Sequence, residues 1–131
     1  MKNNLKNIND AEPDHSPNSL EALLAGRGSN VLRDSLMLME PHDTAGRRLT
    51  AGYTVVYPGC RTSGHCHADR EEIYFIVKGR GRVEIEDQTF EVKPGDTFYV
   101  EPGLFHTLHN RRKEAVEYFW VTVQLDESPR P

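Results

Sequence analysis

The chain has 131 residues, which is the size of one ordinary domain and too short for two separate hydrophobic cores. Sixteen Lys and Arg against twenty Asp and Glu give a formal net charge of -4, and the basic residues are scattered, which argues against a nucleic-acid partner. The apolar runs are far shorter than the roughly twenty residues that a membrane helix needs, and the N-terminal segment lacks the apolar stretch of a secretory signal. We therefore predict one cytoplasmic domain with no membrane or nucleic-acid partner.

Both ends of the chain have the composition of tails. Residues 1–17 are rich in Asn, Asp, Pro and Lys and have few apolar side chains, which predicts a flexible N-terminal tail. The prolines within residues 126–131 cannot join a strand ladder, so this stretch is predicted as a C-terminal tail. A single folded domain is expected over residues 18–125.

Within the domain, one short helix is predicted before a series of strands. Apolar residues at helical spacing, a polar N-cap and Gly26 as a stop predict the helix over 19–25. From Val31 onward, short β-rich runs alternate with turn residues, a pattern typical of a sandwich or barrel. The predicted strands lie near 31–40, 48–57, 64–67, 72–78, 81–86, 88–92, 97–100, 105–109 and 115–124.

Two histidines and a glutamate form the first part of a candidate metal site. His65 and His67 are two positions apart, so on a predicted strand they share a face and can contact one ion. Glu72 lies in the next predicted strand, on the same face as Tyr74. Apolar residues occupy both faces of that strand, which predicts burial on both sides. A buried carboxylate needs a partner, and a metal ion would supply one.

A third histidine completes the candidate site. His106 follows a Pro-Gly turn at the start of another predicted strand. Three imidazoles and one carboxylate suit a borderline divalent ion such as iron(II), manganese, nickel, cobalt or zinc. An octahedral ion would keep about two positions open for water or substrate, which is the condition for chemistry. The predicted metal ligands are His65, His67, Glu72 and His106.

The spacing around the first histidine pair resembles that of the cupin family. The first motif of that family is a glycine, five residues, His-x-His, three or four residues, Glu, six residues and a glycine. Every spacing is met, by Gly59, His65, His67, Glu72 and Gly79.

The segment around His106 is similar to the second motif of the same family. That motif is a glycine, five residues, Pro-x-Gly, two residues, His, three residues and Asn, and it is met by Gly95, Gly103, His106 and Asn110. Glu101 stands where the family has a proline, at a turn that carries no ligand.

The resemblance covers residues 50–124, with the two motifs over 59–110. It implies an all-β fold, the double-stranded β-helix, which is a jelly-roll barrel of about eight or more strands. It also implies a metal near the middle of the barrel cavity. To this fold we add the short N-terminal helix and the loose tail.

One glutamate is an alternative metal ligand, and three histidines are expected to lie outside the metal site. Because the family allows either gap, Glu71 could be the ligand instead of Glu72, but strand parity favours Glu72. His15 and His42 have no partner pattern and are expected to be exposed, and His109 is expected outside the cavity.

The reaction is less determined than the metal site. The family includes dioxygenases, sugar-phosphate isomerases or epimerases, decarboxylases, lyases and polyketide cyclases. We favour a dioxygenase-type enzyme that acts on a small oxygenated metabolite bound at the metal. The alternatives are a metal-dependent isomerase or epimerase, a lyase or polyketide cyclase, and a non-catalytic cupin that binds a small ligand. Few basic residues lie close to the site in sequence, which disfavours a phosphosugar.

Two residues are candidates for a catalytic role. Tyr74 shares a strand face with Glu72, and Arg61 precedes His65 in a loop. A guanidinium there could bind an anionic group, although Arg61 could equally be a solvated loop residue.

Cys60 and Cys66 are predicted as reduced thiols, because their spacing fits neither a zinc ribbon nor a disulfide-rich secreted domain. A homodimer is predicted, because an edge strand such as 31–40 can be lent to a neighbour and symmetric dimers are the commonest oligomers.

Overall fold

The computed structural model describes residues 5–15, 19, 33–62, 64 and 66–125. The predicted helix over 19–25, apart from Ser19, and the predicted tail over 126–131 lie outside these residues. Within the described part of the chain, no helix is long and apolar enough to cross a membrane. The strands are β1 (Arg33–Met39), β2 (Leu49–Val56), β3 (Arg70–Lys78), β4 (Gly81–Ile85), β5 (Gln88–Val92), β6 (Thr97–Val100), β7 (His106–His109) and β8 (Val116–Gln124), and two 3-10 turns span Ile8–Asp10 and Pro41–Asp43.

The strands form two antiparallel sheets that pack face to face. One sheet has the order β1-β2-β8-β3-β6 and the other has the order β5-β4-β7. The inner faces of both sheets supply the core, and buried residues alternate with less buried ones along β2, β3 and β4. This architecture confirms the predicted all-β double-stranded β-helix. The buried apolar residues are Val56, Tyr74, Ile76, Val83, Ile85, Val92, Val100, Leu108, Val116 and Tyr118.

One predicted strand is wrong. Among the described residues of the 64–67 stretch, Gly64, Cys66 and His67 belong to no strand. Gly64 has a φ of 80°, a left-handed value that interrupts an extended backbone. His67 lies in a loop that is tied to a second loop by the bond from the Gly103 N–H to the His67 carbonyl, 2.8 Å. Because His67 lies outside any strand, the prediction that it shares a strand face with His65 is wrong.

Strand β3 is buried on one face only. Glu72, Tyr74 and Ile76 point into the core, whereas Ile73, Phe75 and Val77 are 49%, 46% and 44% exposed. The prediction that β3 is buried on both sides is therefore wrong for the single chain. In a two-layer antiparallel fold, one face of each sheet packs on the core and the other has no second layer.

The described N-terminal residues lie against the first strand. Residues 5–15 include the 3-10 turn, and Pro13 forms an isolated bridge with Leu36 of β1. The flexibility of residues 1–17 stays a prediction. The contacts show that the segment reaches the edge of the five-stranded sheet.

Candidate metal centre

Two sheets and one loop position the candidate ligands. Glu72 is the third residue of β3 and projects from the five-stranded sheet, whereas His106 is the first residue of β7 in the three-stranded sheet. His67 precedes β3 in the loop held by Gly103. His65 lies outside the described residues. The sandwich therefore brings together side chains that are more than thirty positions apart in sequence.

The carboxylate of Glu72 lies between two imidazoles. Its Oε2 is 3.7 Å from Nε2 of His67, and its Oε1 is 3.5 Å from Nε2 of His106. Glu72 and His106 are buried, whereas His67 keeps part of its ring exposed. A buried carboxylate is stabilised by such neighbours, which is the electrostatic environment that also attracts a cation.

The hydroxyl of Tyr74 joins this group. It donates to Oε1 of Glu72 at 2.5 Å and lies 3.2 Å from Nε2 of His106. Burial raises the pKa of Tyr74 well above its usual value, and the neighbouring Tyr118 and Glu72 add to the rise. The phenol therefore keeps its proton and acts as a fixed donor at this site.

A backbone carbonyl fixes the orientation of the His106 ring. Nδ1 of His106 is 3.0 Å from the carbonyl oxygen of Leu104. Because a carbonyl only accepts, Nδ1 carries the hydrogen and, in the neutral ring, Nε2 keeps its lone pair. Metal-binding histidines have this arrangement, in which one nitrogen is anchored and the other faces the ion.

The pKa values of the two imidazoles are shifted in opposite directions. Burial lowers the pKa of His67, and the charge of Glu72 offsets only part of that effect. For His106, burial also acts to lower the pKa, but the hydrogen bonds with Glu72 and the Leu104 carbonyl outweigh it, so the pKa is raised. The Glu72 carboxylate therefore favours the protonated form of His106, and a metal ion would compete with that proton.

The donor chemistry of these residues fits a divalent ion. Across residues 5–15, 19, 33–62, 64 and 66–125, no group of three or more His, Cys, Asp or Glu side chains is arranged as a metal site. The fit rests on the anchored Nε2 of His106, the buried carboxylate of Glu72 and the nearby Nε2 of His67. The fourth predicted ligand, His65, lies outside the described residues.

A cavity of about 280 Å³ opens beside the candidate ligands. Glu72, His67 and Tyr74 form part of its wall. Hydroxyl groups line much of the remainder, from Ser35, Thr50, Thr54, Thr62, Tyr118 and Thr122. Such a cavity is suited to a small molecule that carries several oxygen atoms.

Comparison with protein families identifies the chain. The family model for the cupin domain matches residues 52–122, more than half of the sequence. The chain belongs to the cupin family. The match includes Gly59, Glu72 and His106, so the residues that carry the two motifs lie within the recognised domain.

The relatives of this cupin have diverse names. It is 37% identical over 84 residues to the uncharacterized protein MJ1618 of Methanocaldococcus jannaschii, a match that covers 64% of the chain and 65% of the relative. It is 39% identical over 70 residues to the glucose-6-phosphate isomerase of Thermococcus litoralis, covering 44% of the chain and 37% of that enzyme. It is 26% identical over 110 residues to the oxalate-binding protein of Thermotoga maritima, covering 84% and 88%.

Solved structures share the fold of this cupin. A protein of Thermotoga maritima described as a predicted oxalate decarboxylase superposes with a TM-score of 0.77 at 20% identity, over 92% of this chain and 99% of the other. The cupin domain of Cnp3 from Schizosaccharomyces pombe superposes with a TM-score of 0.67 at 20% identity, over 75% and 70%. At this identity the likeness supports the fold alone.

The cavity of this cupin contains two arginines that the sequence analysis missed. Arg33 of β1 and Arg70 of β3 both line the cavity, and Arg33 is paired with Asp14, which also lines it. Nε of Arg70 is buried without a hydrogen-bond partner and lies 3.6 Å from Asp69. The position of Arg70 could have been predicted from the sequence, because it lies two positions before Glu72 and residues two apart on a strand share a face. No local signal was available for Arg33.

The other candidates lie elsewhere. Arg61 is not among the described side chains that line the cavity, and its Nη1 donates to the Thr62 carbonyl at 3.2 Å. Glu71 accepts a hydrogen bond from Tyr99 on the opposite face of the sheet from Glu72. Nε2 of His109 is 3.5 Å from Glu84, away from the cavity wall.

Proposed function

We propose that this cupin binds one divalent transition metal through His65, His67, Glu72 and His106, and that a small oxygen-bearing metabolite is held there for reaction. The observation that carries this proposal is the convergence of His67, Glu72 and His106 from three separate segments. The ion would be iron(II), manganese, nickel, cobalt or zinc, which accept mixed imidazole and carboxylate ligands. When bound, it would polarise a substrate oxygen or, as iron, support dioxygen chemistry.

The protein's own residues suggest how a substrate would be held. Arg33 and Arg70 line the cavity, Arg33 in an ion pair with Asp14 and Arg70 near Asp69, and guanidinium groups at a cavity wall suit a carboxylate or another small anion. Tyr74 can donate its proton to an oxygen of the ligand, because its phenol remains protonated. The cavity of about 280 Å³ suits a small substrate. We therefore favour a small oxygenated carboxylate as the substrate and a dioxygenase as the reaction class.

The experiment is a dioxygen-uptake screen of the iron-loaded protein against small diketones, phenols, thiols and hydroxy acids. Sustained uptake that is lost in a folded His106→Ala variant supports the proposal. A matched His42→Ala variant should keep the uptake, because His42 lies in a 3-10 turn and does not line the cavity. If protein that holds iron takes up no dioxygen with any of these compounds, dioxygenase chemistry is rejected. The proposed metal site is not affected by that result.

A second candidate is a metal-dependent binding protein without turnover. The two cavity arginines favour it, and so does the similarity to the oxalate-binding protein over 84% of the chain. In this case oxalate would bind in proportion to metal content and would be recovered unchanged. Calorimetry with metal-loaded and metal-free protein, followed by analysis of the oxalate, separates this role from catalysis.

An isomerase or epimerase is the remaining alternative. Few basic residues lie near the motifs in sequence, but the cavity is also lined by Arg33 and Arg70, so a phosphosugar is less disfavoured than the sequence indicates. The similarity to glucose-6-phosphate isomerase covers less than half of this chain, so it supports this reaction less than the oxalate-binding similarity supports carboxylate binding. The cytoplasmic location stays a prediction.

A further inference from the structure

A second cavity lies on the outer face of the three-stranded sheet, and we call it the outer cavity. Its volume is about 480 Å³. Arg82 of β4 is in register with Glu91 of β5 and His109 of β7, so these side chains form a row on the face that points away from the core. The side chains that line the cavity are Arg80, Arg82, Glu91, His109, Arg111 and Arg112, and none of them lines the cavity beside the candidate metal ligands.

Two loops that touch each other bring three of the arginines to this cavity. Arg80 lies in the turn between β3 and β4, whereas Arg111 and Arg112 lie in the loop between β7 and β8. The loops approach closely at Gly79, where a Cβ atom would be 2.2 Å from the carbonyl oxygen of Ala115. Basic residues that are scattered in the sequence are therefore gathered by the fold.

Asn110, the last residue of the second motif, fixes the loop between β7 and β8. Its buried side chain donates to the carbonyl oxygens of Val56 at 3.0 Å and Glu114 at 2.8 Å, and it accepts a hydrogen bond from the Arg112 N–H at 2.9 Å. The side chains of Arg111 and Arg112 are exposed, but the backbone that carries them is held. A held backbone has less conformational freedom to lose when a ligand binds.

The outer cavity has an excess of positive charge. Among the described side chains that line it, Glu91 is the one carboxylate, and it accepts a hydrogen bond from Nε of Arg82 at 3.1 Å. Arg80, Arg111 and Arg112 form no ion pair and no side-chain hydrogen bond with any residue that the structure describes. Four guanidinium groups and one carboxylate leave three positive charges, on a chain whose formal net charge is -4.

Two further carboxylates near the outer cavity have partners of their own. Asp96 accepts a hydrogen bond from the Lys93 N–H at 2.8 Å and lies 3.4 Å from its Nζ. These contacts with Lys93 lower the pKa of Asp96, and the charge of Arg80 adds to the effect. Glu84 lies 3.5 Å from Nε2 of His109 and does not line the cavity. The positive charge of the cavity is therefore left for an anionic ligand.

We propose that the outer cavity binds a diphosphate group, either as free pyrophosphate or as part of an organic ester. Guanidinium groups stay charged and match phosphate oxygens with paired N–H donors. One phosphate group carries at most about two negative charges near neutral pH, fewer than the three positive charges here, so two linked groups match better. None of the described residues that line the cavity is Phe, Tyr or Trp, so recognition falls on the phosphates rather than on a planar ring. The site is separate from the proposed metal centre.

The test is calorimetry of the purified protein with inorganic pyrophosphate at low and high chloride concentrations. One pyrophosphate should bind per chain, more weakly at high salt because exposed charges are screened. Arg80→Gln and Arg112→Gln, in different loops, should each lower the affinity about fivefold or more, because each removes a charged donor. Arg47→Gln is the matched control, since Arg47 is exposed and does not line the cavity, and it should bind pyrophosphate as the unaltered chain does.

Other ligands and one metal-site variant test the specificity of the outer cavity. Inorganic phosphate and sulfate should bind at least about tenfold more weakly than pyrophosphate, because each has a single tetrahedral group. Adenosine diphosphate that binds as tightly as pyrophosphate would assign the site to esters, and much weaker binding would assign it to free pyrophosphate; both results support a diphosphate site. His106→Ala should bind pyrophosphate unchanged, so failure of the metal proposal leaves this one intact.

Several results would overturn the proposal. One is the absence of saturable pyrophosphate binding up to about 1 mM, and another is equal affinity in the unaltered chain and both loop variants. Loss of binding in Arg70→Gln but not in the loop variants would place the ligand in the cavity beside the metal ligands. Saturable binding of a short single-stranded oligonucleotide without binding of pyrophosphate would assign the surface to a nucleic acid.

Circular dichroism shows whether each variant folds. If the loop variants do not fold, nuclear magnetic resonance of the unaltered protein replaces them. Amide signals of residues 79–82 and 109–113 should then move as pyrophosphate is added, whereas those of residues 70–74 should not. Movement confined to residues 70–74 would also overturn the proposal.

Discussion

His106 and Glu72 form a buried pair whose geometry is set by their neighbours. The Leu104 carbonyl fixes the ring of His106, and the Tyr74 hydroxyl holds one oxygen of Glu72. The His106 ring and one oxygen of Glu72 therefore have a defined direction before any metal binds. Preorganised ligands lose less conformational freedom on binding, which favours affinity.

The contribution of the Tyr74 hydroxyl to stability can be measured separately from its contribution to metal affinity. We expect Tyr74→Phe to lower the free energy of unfolding of the metal-free protein by about 1–3 kcal/mol, because a buried hydrogen bond to a charged group is lost. Metal affinity should fall less than in Glu72→Gln, since the phenol only orients the Glu72 carboxylate, whereas the Gln variant removes the ligand charge and should lose more than tenfold. Urea denaturation and metal titration measure the two effects. Equal losses of metal affinity in both variants would contradict this division of roles.

The tyrosines of the structure predict how stability depends on alkaline pH. Burial, together with the bond to Glu117, raises the pKa of Tyr53 to about 12, and burial raises that of Tyr118 to about 12. In the unfolded chain these groups ionise near 10, so the unfolded state releases protons first as the pH rises. Stability should therefore be constant below about pH 9 and fall between about pH 10 and pH 12. Denaturant titrations at several pH values test this, and Tyr53→Phe should make the decline shallower. An equally steep decline in that variant would exclude Tyr53 as a contributor.

At the scale of the elements, the turn after β3 depends on a motif glycine. Gly79 has a φ of 81°, and a Cβ atom placed there would be 2.2 Å from the carbonyl oxygen of Ala115. Both the left-handed backbone and the close approach exclude a side chain. The first family motif thus ends at a position required by the turn into β4 rather than by the metal.

Substitutions at two glycines test this explanation. Gly79→Ala should lower the free energy of unfolding by about 2–4 kcal/mol, because the backbone strain and the contact with Ala115 add together. Gly95→Ala has a similar φ of 94° but open space around its Cβ position, so only the backbone strain of about 1–2 kcal/mol applies. Thermal and denaturant unfolding compare the two. A larger loss at Gly95 would contradict the role of the contact.

Most strands could be predicted from sequence because turn chemistry marks their ends. The runs at 81–86, 88–92 and 97–100 are separated by Gly, Pro and Asp turns, and each matches a strand to within one residue. The 64–67 run was misassigned because Gly64 adopts a left-handed backbone there, which the alternation of side chains does not show.

The candidate site was predictable only in part, for a similar physical reason. His67, Glu72 and His106 stand at motif spacing, so the sequence was enough to group them. Arg33 enters the cavity because β1 packs at the edge of the five-stranded sheet, and that contact depends on the tertiary fold. The exposure of Phe75 was also unpredictable, because an apolar residue on a strand has the same appearance in sequence whether it faces the core or the outside of the sheet.

For the molecule as a whole, metal binding should be linked to pH. Ligand histidines must be neutral, and the raised pKa of His106 means that a proton competes for Nε2 at a pH above the usual 6.5. Apparent metal affinity should therefore fall as the pH is lowered through that value. Titration with manganese or zinc at a series of pH values checks this, and affinity that stays constant between about pH 8 and pH 5 would show that no imidazole is a ligand.

The central claim is that one divalent ion is bound by the motif residues, and the most direct test is the metal content of the purified protein. Elemental analysis after purification without an affinity-metal step should give close to one transition-metal ion per chain. A folded His106→Ala variant should have substantially less, and the His42→Ala control should match the unaltered protein. Absence of bound metal, both as purified and after dialysis against iron(II), manganese, nickel, cobalt and zinc, would contradict the claim.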